Sequence, residues 1–106
     1  MKTTSMDPAI LAQNAAAAAS LLKMIANEHR LLVLCQLIEG EHSAADLLTG
    51  STLSQSALSQ HLSKLREHKL VATRRDGLSI YYSIADPAVT RIVTTLAEIY
   101  RPAGTV

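Results

Sequence analysis

The apolar positions of this chain keep one rhythm for two thirds of its length, break it, and then resume it. Leu58, Leu62 and Leu65 recur at i, i+4 and i+7. Leu31, Leu34, Cys35 and Ile38 fall at i, i+3, i+4 and i+7. Both spacings predict helices that bury one stripe. From Leu70 the period drops to two. Val71, Thr73 and Arg75 alternate with Ala72 and Arg74, and Ile80, Tyr82 and Ile84 alternate with Ser79, Tyr81 and Ser83. Asp76-Gly77 lies between them, a strong hairpin signal. The helical period then returns in Val89, Ile92, Val93, Leu96, Ile99 and Tyr100.

Start signals divide the helical stretches. Asp7-Pro8 predicts a first helix, with Asp as N-cap and Pro at the first position, running to about Ala26. Its burial is expected from Leu21, Leu22, Met24 and Ile25, while Ala15–Ala19 allow another helix to approach closely. Asn27 caps a second helix that Gly40 ends near Glu39. Ser43 to Asp46 reads as a capping-box start for a short helix to about Leu48. Thr49–Thr52 is then a turn, and Ser54 caps the next helix. Asp86-Pro87 starts the last one, which stops at Pro102 and Gly104. A short helix, a turn containing Gly and a second helix form a helix-turn-helix pattern.

The second helix of that pattern has an unusual outer face. It carries Ser56, Ser59, Gln60 and Ser63, with Gln55 at its edge. A solvated face normally carries Glu and Lys; this one carries short groups that both donate and accept. Charge enters only later, at Lys64, Arg66 and Lys69. A polar, uncharged face leading into a basic end suits a helix lying in a DNA major groove. Arg74-Arg75 beside the hairpin tip suits a wing that touches the DNA backbone. A hairpin that only pads the core has no need of two arginines there.

Length and composition add further constraints. One hundred and six residues allow one domain. With no Phe or Trp and three Tyr, the core rests on Ala and Leu, and a core that thin predicts a homodimer. We expect residues 1–7 to be a disordered tail and 8–106 to form one DNA-binding and dimerisation domain. The first and last helices are expected to pack across a two-fold axis. Net charge is +1, but residues 54–75 hold five cations against one anion, while the remainder holds five against eight. That concentration fits nucleic acid, and a merely solvated basic surface accounts for it about as well. The single cysteine, Cys35, excludes an internal disulfide and fits a reducing cytosol. On the apolar stripe it reads as a small buried hydrophobe. No run is long enough to span a membrane, and Ala15–Leu22 reads as helix rather than as a leader segment. Phosphate-binding glycine loops, nucleophile elbows and paired catalytic carboxylates are absent, which argues against an enzyme.

The order of elements, with Ala26-Asn27-Glu28-His29-Arg30-Leu31, Leu53 to Leu62 and Ile80-Tyr81-Tyr82-Ser83, resembles the ArsR/SmtB family of dimeric winged-helix repressors. The resemblance covers about residues 20–101, and within the family it is nearest the group of NolR, HlyU and BigR. It implies a mainly α fold with a β-hairpin, a winged helix-turn-helix, and double-stranded DNA as partner in the cytoplasm. It also implies base contacts from Gln55, Ser56, Ser59 and Gln60. Together with the residue pattern, the expected interface is Ser54, Gln55, Ser56, Ser59, Gln60, Ser63, Lys64, Arg74 and Arg75. Many members sense metals. One family site places thiols where Ser43 and Ala45 stand here, before Asp46-Leu47; another places His where Ala88 follows Asp86. No metal or other cofactor is therefore expected. Related redox members carry a second cysteine where Tyr100-Arg101-Pro102 stands here, so a two-thiol switch has no partner for Cys35. Two other readings follow from the same residues: a thiol sensor acting through Cys35 alone, and a winged-helix module that binds protein.

Overall fold

The computed structural model describes residues 7–103. The expected tail, apart from Asp7, and the stop at Gly104 lie outside the described residues. Six helices and three strands follow in the order α1 (Pro8–Gln13), α2 (Ala15–Ile25), α3 (Glu28–Ile38), β1 (His42–Ser43), α4 (Ala44–Thr49), α5 (Gln55–Glu67), β2 (Val71–Asp76), β3 (Ser79–Ile84) and α6 (Pro87–Ile99). The architecture is mainly helical, with a small antiparallel sheet in the order β1-β3-β2.

The caps stand where the sequence puts them. Asp7 accepts from the Ala9 amide, Asn27 from His29 and Arg30, Ser43 from Asp46, Ser54 from Ala57, and Asp86 from Ala88. Each satisfies amides that a helix start leaves without partners. One expected helix is two. The Asn14 side-chain amide donates to the Ile10 carbonyl at 2.9 Å, the acceptor a continuous helix would offer to the Asn14 backbone amide. That backbone amide turns to Leu11 instead, at 3.0 Å. Side-chain competition of this kind breaks the ladder.

Leu58, Leu62 and Leu65 of α5 are buried as expected, against Val33, Leu34 and Leu37 of α3, Leu47 of α4 and Val89 and Val93 of α6. The inward stripe of α3 differs from expectation. It runs through Arg30, Val33, Leu34 and Leu37, so Leu31 and Ile38 flank the core and Cys35 faces outward. Residues 31–34 are all apolar and leave more than one stripe open; the inward one also carries Arg30, 8% exposed, at a position that an apolar pattern does not register. On α2, Ile25 is buried and Leu21 and Met24 lean on the core, but Leu22 is 53% exposed. Ile99 and Tyr100 at the end of α6 are also exposed.

The hairpin register pairs Asp76 with Ser79, so its two-residue loop is Gly77-Leu78, one position beyond the expected Asp-Gly. Gly77 alone in the loop has positive φ, +63°, the requirement of a II′ turn at its first central position. Strand β1 is an addition that the sequence did not suggest. It pairs His42 with Tyr82 and Ser43 with Tyr81, which ties the start of α4 to the wing.

Candidate nucleic-acid interface

Helix α5 presents two faces set by its own spacing. The leucine stripe fixes it on the core, and the residues 55, 56, 59, 60, 63 and 64 then fall together on the outer side. Gln55, Ser56, Ser59, Gln60, Ser63 and Lys64 line one shallow, open depression. Among the described residues none of these six side chains hydrogen-bonds or ion-pairs with the protein. The helix therefore offers donors and acceptors without internal partners. Ser54 stands apart from them: its Oγ accepts from the Ala57 amide at 3.1 Å, so it holds the helix start.

The C-terminal end of α5 is built for a fixed angle to the wing. His68 is the C-cap, and Lys69 follows with φ +64°. The Leu70 amide donates back to Leu65 and the Lys69 amide to Arg66, at 2.9 and 3.0 Å. This is a Schellman closure with Lys where Gly is usual, sealed by the buried pair Leu65 and Leu70.

The wing arginines differ from each other. Arg74 donates to Glu41 through Nε at 2.7 Å and Nη2 at 2.8 Å. Its guanidinium lies 4.5 Å from the centre of the Tyr81 ring, its cross-strand partner, and 4.0 Å from Asp76. That hydrogen bond holds the Glu41 carboxyl below its ordinary range and raises Arg74 further. Arg75 is exposed and, among the described residues, has no ion-pair partner. The sequence thus placed both residues on the wing but did not foresee that Glu41 occupies one of them.

A second group, absent from the sequence reading, lies behind α5. Arg30 donates from Nε to the Met24 carbonyl at 2.6 Å and from Nη2 to Lys23 at 3.3 Å. Its Nη1 lies 3.2 Å from Nδ1 of His61 on α5. The rings of His29 and His61 are 5.8 Å apart. The only signal in the sequence is an arginine within an otherwise apolar stripe.

Cys35 is on the outer side of α3, which corrects the expected buried position. Partial desolvation of its sulfur still raises the thiol above its ordinary value, because burial disfavours the thiolate. Among the described residues no three His, Cys, Asp or Glu side chains are grouped to hold a metal, and no helix is long and apolar enough to cross a membrane.

A family model for bacterial regulatory proteins of the arsR family matches residues 27–73, from the cap of α3 into the wing. The nodulation protein NolR of Rhizobium meliloti is 49% identical over 88 residues, covering 83% of this chain and 72% of that protein. The transcriptional activator HlyU of Vibrio cholerae is 39% identical, covering 94% and 93%. The crystal structure of the transcriptional repressor BigR from Xylella fastidiosa superposes with a TM-score of 0.87 at 33% identity, over 92% of this chain and 99% of that one. HlyU and BigR are named as regulators of transcription, and none of the three is named as an enzyme. With the exposed polar helix and its wing, they establish that this chain belongs to the arsR family and is a transcriptional regulator with a winged-helix DNA-binding fold.

Proposed function

We propose that the protein is a cytoplasmic homodimer that reads an inverted-repeat operator through α5 and represses transcription without a metal effector. The observation that carries this reading is the face of Gln55, Ser56, Ser59, Gln60 and Ser63, whose side chains have no internal partners and meet a basic end at Lys64. Unpaired amides and hydroxyls on a helix match the donor and acceptor pattern of base edges in the major groove, and the cations beside them add attraction to phosphate. Ser54 contributes by fixing the helix start. Arg75 supplies a free charge at the wing, and Arg74 a charge shared with Glu41.

Dimerisation is supported by surfaces left uncovered in one chain. Helix α1 buries no residue, and Ile10, Leu11 and Leu22 are each more than half exposed, as are Ile99 and Tyr100 on α6. Sedimentation at micromolar concentration should show a dimer; a folded monomer would rule this out. Two recognition helices on one DNA face require half-site centres about one or two helical turns apart, roughly 10 or 20 base pairs.

Selection from a random duplex pool, followed by footprinting upstream of the protein's own gene, tests the reading. The expected product is an inverted repeat with A·T pairs at the read positions, since Gln pairs bidentately with adenine and Ala57 offers a methyl to thymine. Absence of any selected sequence, or G·C-rich half-sites, would contradict it. Added Zn²⁺ should leave affinity unchanged. Cys35→Ser should bind DNA as wild type does, and peroxide should not release the wild-type protein, because a desolvated thiol forms little thiolate. Oxidant-driven release that disappears in Cys35→Ser would restore the thiol-sensor reading.

A further inference from the structure

Arg30 is the one buried charged side chain among the described residues, and none of the DNA-reading chemistry above uses it. Its guanidinium has donors only and does not lose its proton in a protein. Two of its three nitrogens hold the Met24 and Lys23 carbonyls, closing the last turn of α2. The third faces Nδ1 of His61. That contact is a hydrogen bond only when Nδ1 carries no proton.

His61 sits on α5 between Gln60 and the Ser63–Lys64 end of the reading face, on the flank that meets α3. The charged or titratable groups facing it are Arg30 and His29 from α3 and Lys64 from its own helix. Among the described residues no carboxylate hydrogen-bonds or ion-pairs with the ring. Desolvation, and then Arg30, His29 and Lys64, hold the imidazole below its ordinary value near 6.5. A proton on Nδ1 turns the one contact between Arg30 and α5 into two opposed donors of like charge. Arg30 cannot turn away without releasing the end of α2. The ring must therefore turn from Arg30, and α5 loses the side-chain contact that ties it to the Arg30 guanidinium.

Resting on the DNA-binding reading above, we infer that Arg30 and His61 are positioning residues for the recognition helix: neutral His61 seats α5 for base reading, and its protonation unseats it. The leucine stripe keeps α5 attached, so the change is a small rotation that misplaces Gln55 and Gln60 rather than a release of the helix. The sign is diagnostic. Protonating exposed histidines adds positive charge and strengthens sequence-independent binding. Protonating His61 should weaken sequence-specific binding.

The stability sign is the same. A histidine with a depressed folded pKa leaves the unfolded chain binding more protons between the two values. The stability that neutral His61 contributes is whole above pH 6.5 and is lost as pH falls from there through the folded value.

The test uses a duplex selected by the full chain at pH 7.5 and a scrambled duplex of equal length, each titrated from pH 7.5 down through the His61 titration that imidazole NMR locates. Wild type should lose affinity for the selected duplex, with a slope approaching about tenfold per pH unit per protomer once below the His61 pKa. Affinity for the scrambled duplex should hold or rise. His61→Asn offers an amide oxygen near the Nδ1 position at every pH and should keep its discrimination flat. In parallel, imidazole nitrogen NMR on wild type should show His61 unprotonated at Nδ1 at neutral pH and titrating below 6.5. A proton on Nδ1 at neutral pH, or identical pH profiles for wild type and a folded His61→Asn, overturns the inference. If no duplex is selected, the DNA-binding reading fails first; if one is selected and its affinity ignores pH, this inference alone fails.

Discussion

The recognition helix and the wing both face outward, and they differ in what their polar groups are already doing. On α5, Gln55, Ser56, Ser59, Gln60 and Ser63 have no partners within the described residues. On the wing, Arg74 is held by two hydrogen bonds to Glu41 and lies over Tyr81. A group without a protein partner gives up only water on binding. A group with one must give something up first. Arg75, on the same strand, resembles the helix residues in this respect. Readiness to bind thus divides the molecule more sharply than charge does: the uncharged helix is prepared for a partner, and half the charge of the wing is already engaged.

The largest effect should come from the helix. Gln55→Ala or Gln60→Ala removes a bidentate amide and should cost about 1–3 kcal/mol at one base position, relaxing specificity there while leaving scrambled DNA bound as before. Equal losses on selected and scrambled duplexes would make the glutamines mere packing or backbone contacts, and would erase the distinction between the two regions.

The wing should answer differently, and its two arginines should not answer alike. Arg75→Ala should weaken binding to all sequences and lower the log–log salt slope by about one unit, the share of one phosphate. Arg74→Ala should change the slope less, because Glu41 offsets its charge. The decisive variant is Glu41→Gln. Freed from its carboxylate, Arg74 should gain affinity for any duplex and steepen the salt dependence by up to about one unit. Weaker binding in Glu41→Gln would mean that the pair orients the wing instead, with the ion pair needed in the complex.

How far the sequence disclosed this comparison follows from the range of the interactions. The N-caps Asp7, Asn27, Ser43, Ser54 and Asp86 were legible, because a side-chain cap is settled within three residues. So were the three leucines that seat α5 and the face opposite them. The break at Asn14 was not, since nothing in the pattern shows which of two amides wins the Ile10 carbonyl. Glu41 and Arg74 are 33 residues apart, and Arg30 and His61 are 31 apart. Periodicity carries no information about pairs that only the fold brings together. Cys35 was misplaced for a related reason: four successive apolar residues, Leu31 to Leu34, fit more than one inward stripe, and the one the fold buries includes Arg30 and leaves Cys35 outside.

The smallest effect concerns the joint between the two regions. Lys69 holds the left-handed conformation that lets α5 end and β2 begin, with φ +64°. A side chain there costs roughly 1–2 kcal/mol, which Lys69→Gly relieves. Two terms oppose the gain. Glycine loses more backbone entropy on folding, about 0.4–1 kcal/mol. A cation beside the helix C-terminus also contributes about 0.3–1 kcal/mol through the dipole, and the substitution removes it. The balance is close, so Lys69→Gly should shift stability by less than about 1 kcal/mol in denaturant titration. Binding then becomes informative, because a stability loss no longer confuses it. If the joint must be stiff for helix and wing to engage together, Lys69→Gly weakens every duplex, while Lys69→Asn, which tolerates the same φ, binds more tightly than the glycine variant. Equal affinities for the two variants would mean that α5 and the wing contact DNA independently, and that the fixed angle between them is a property of the fold alone.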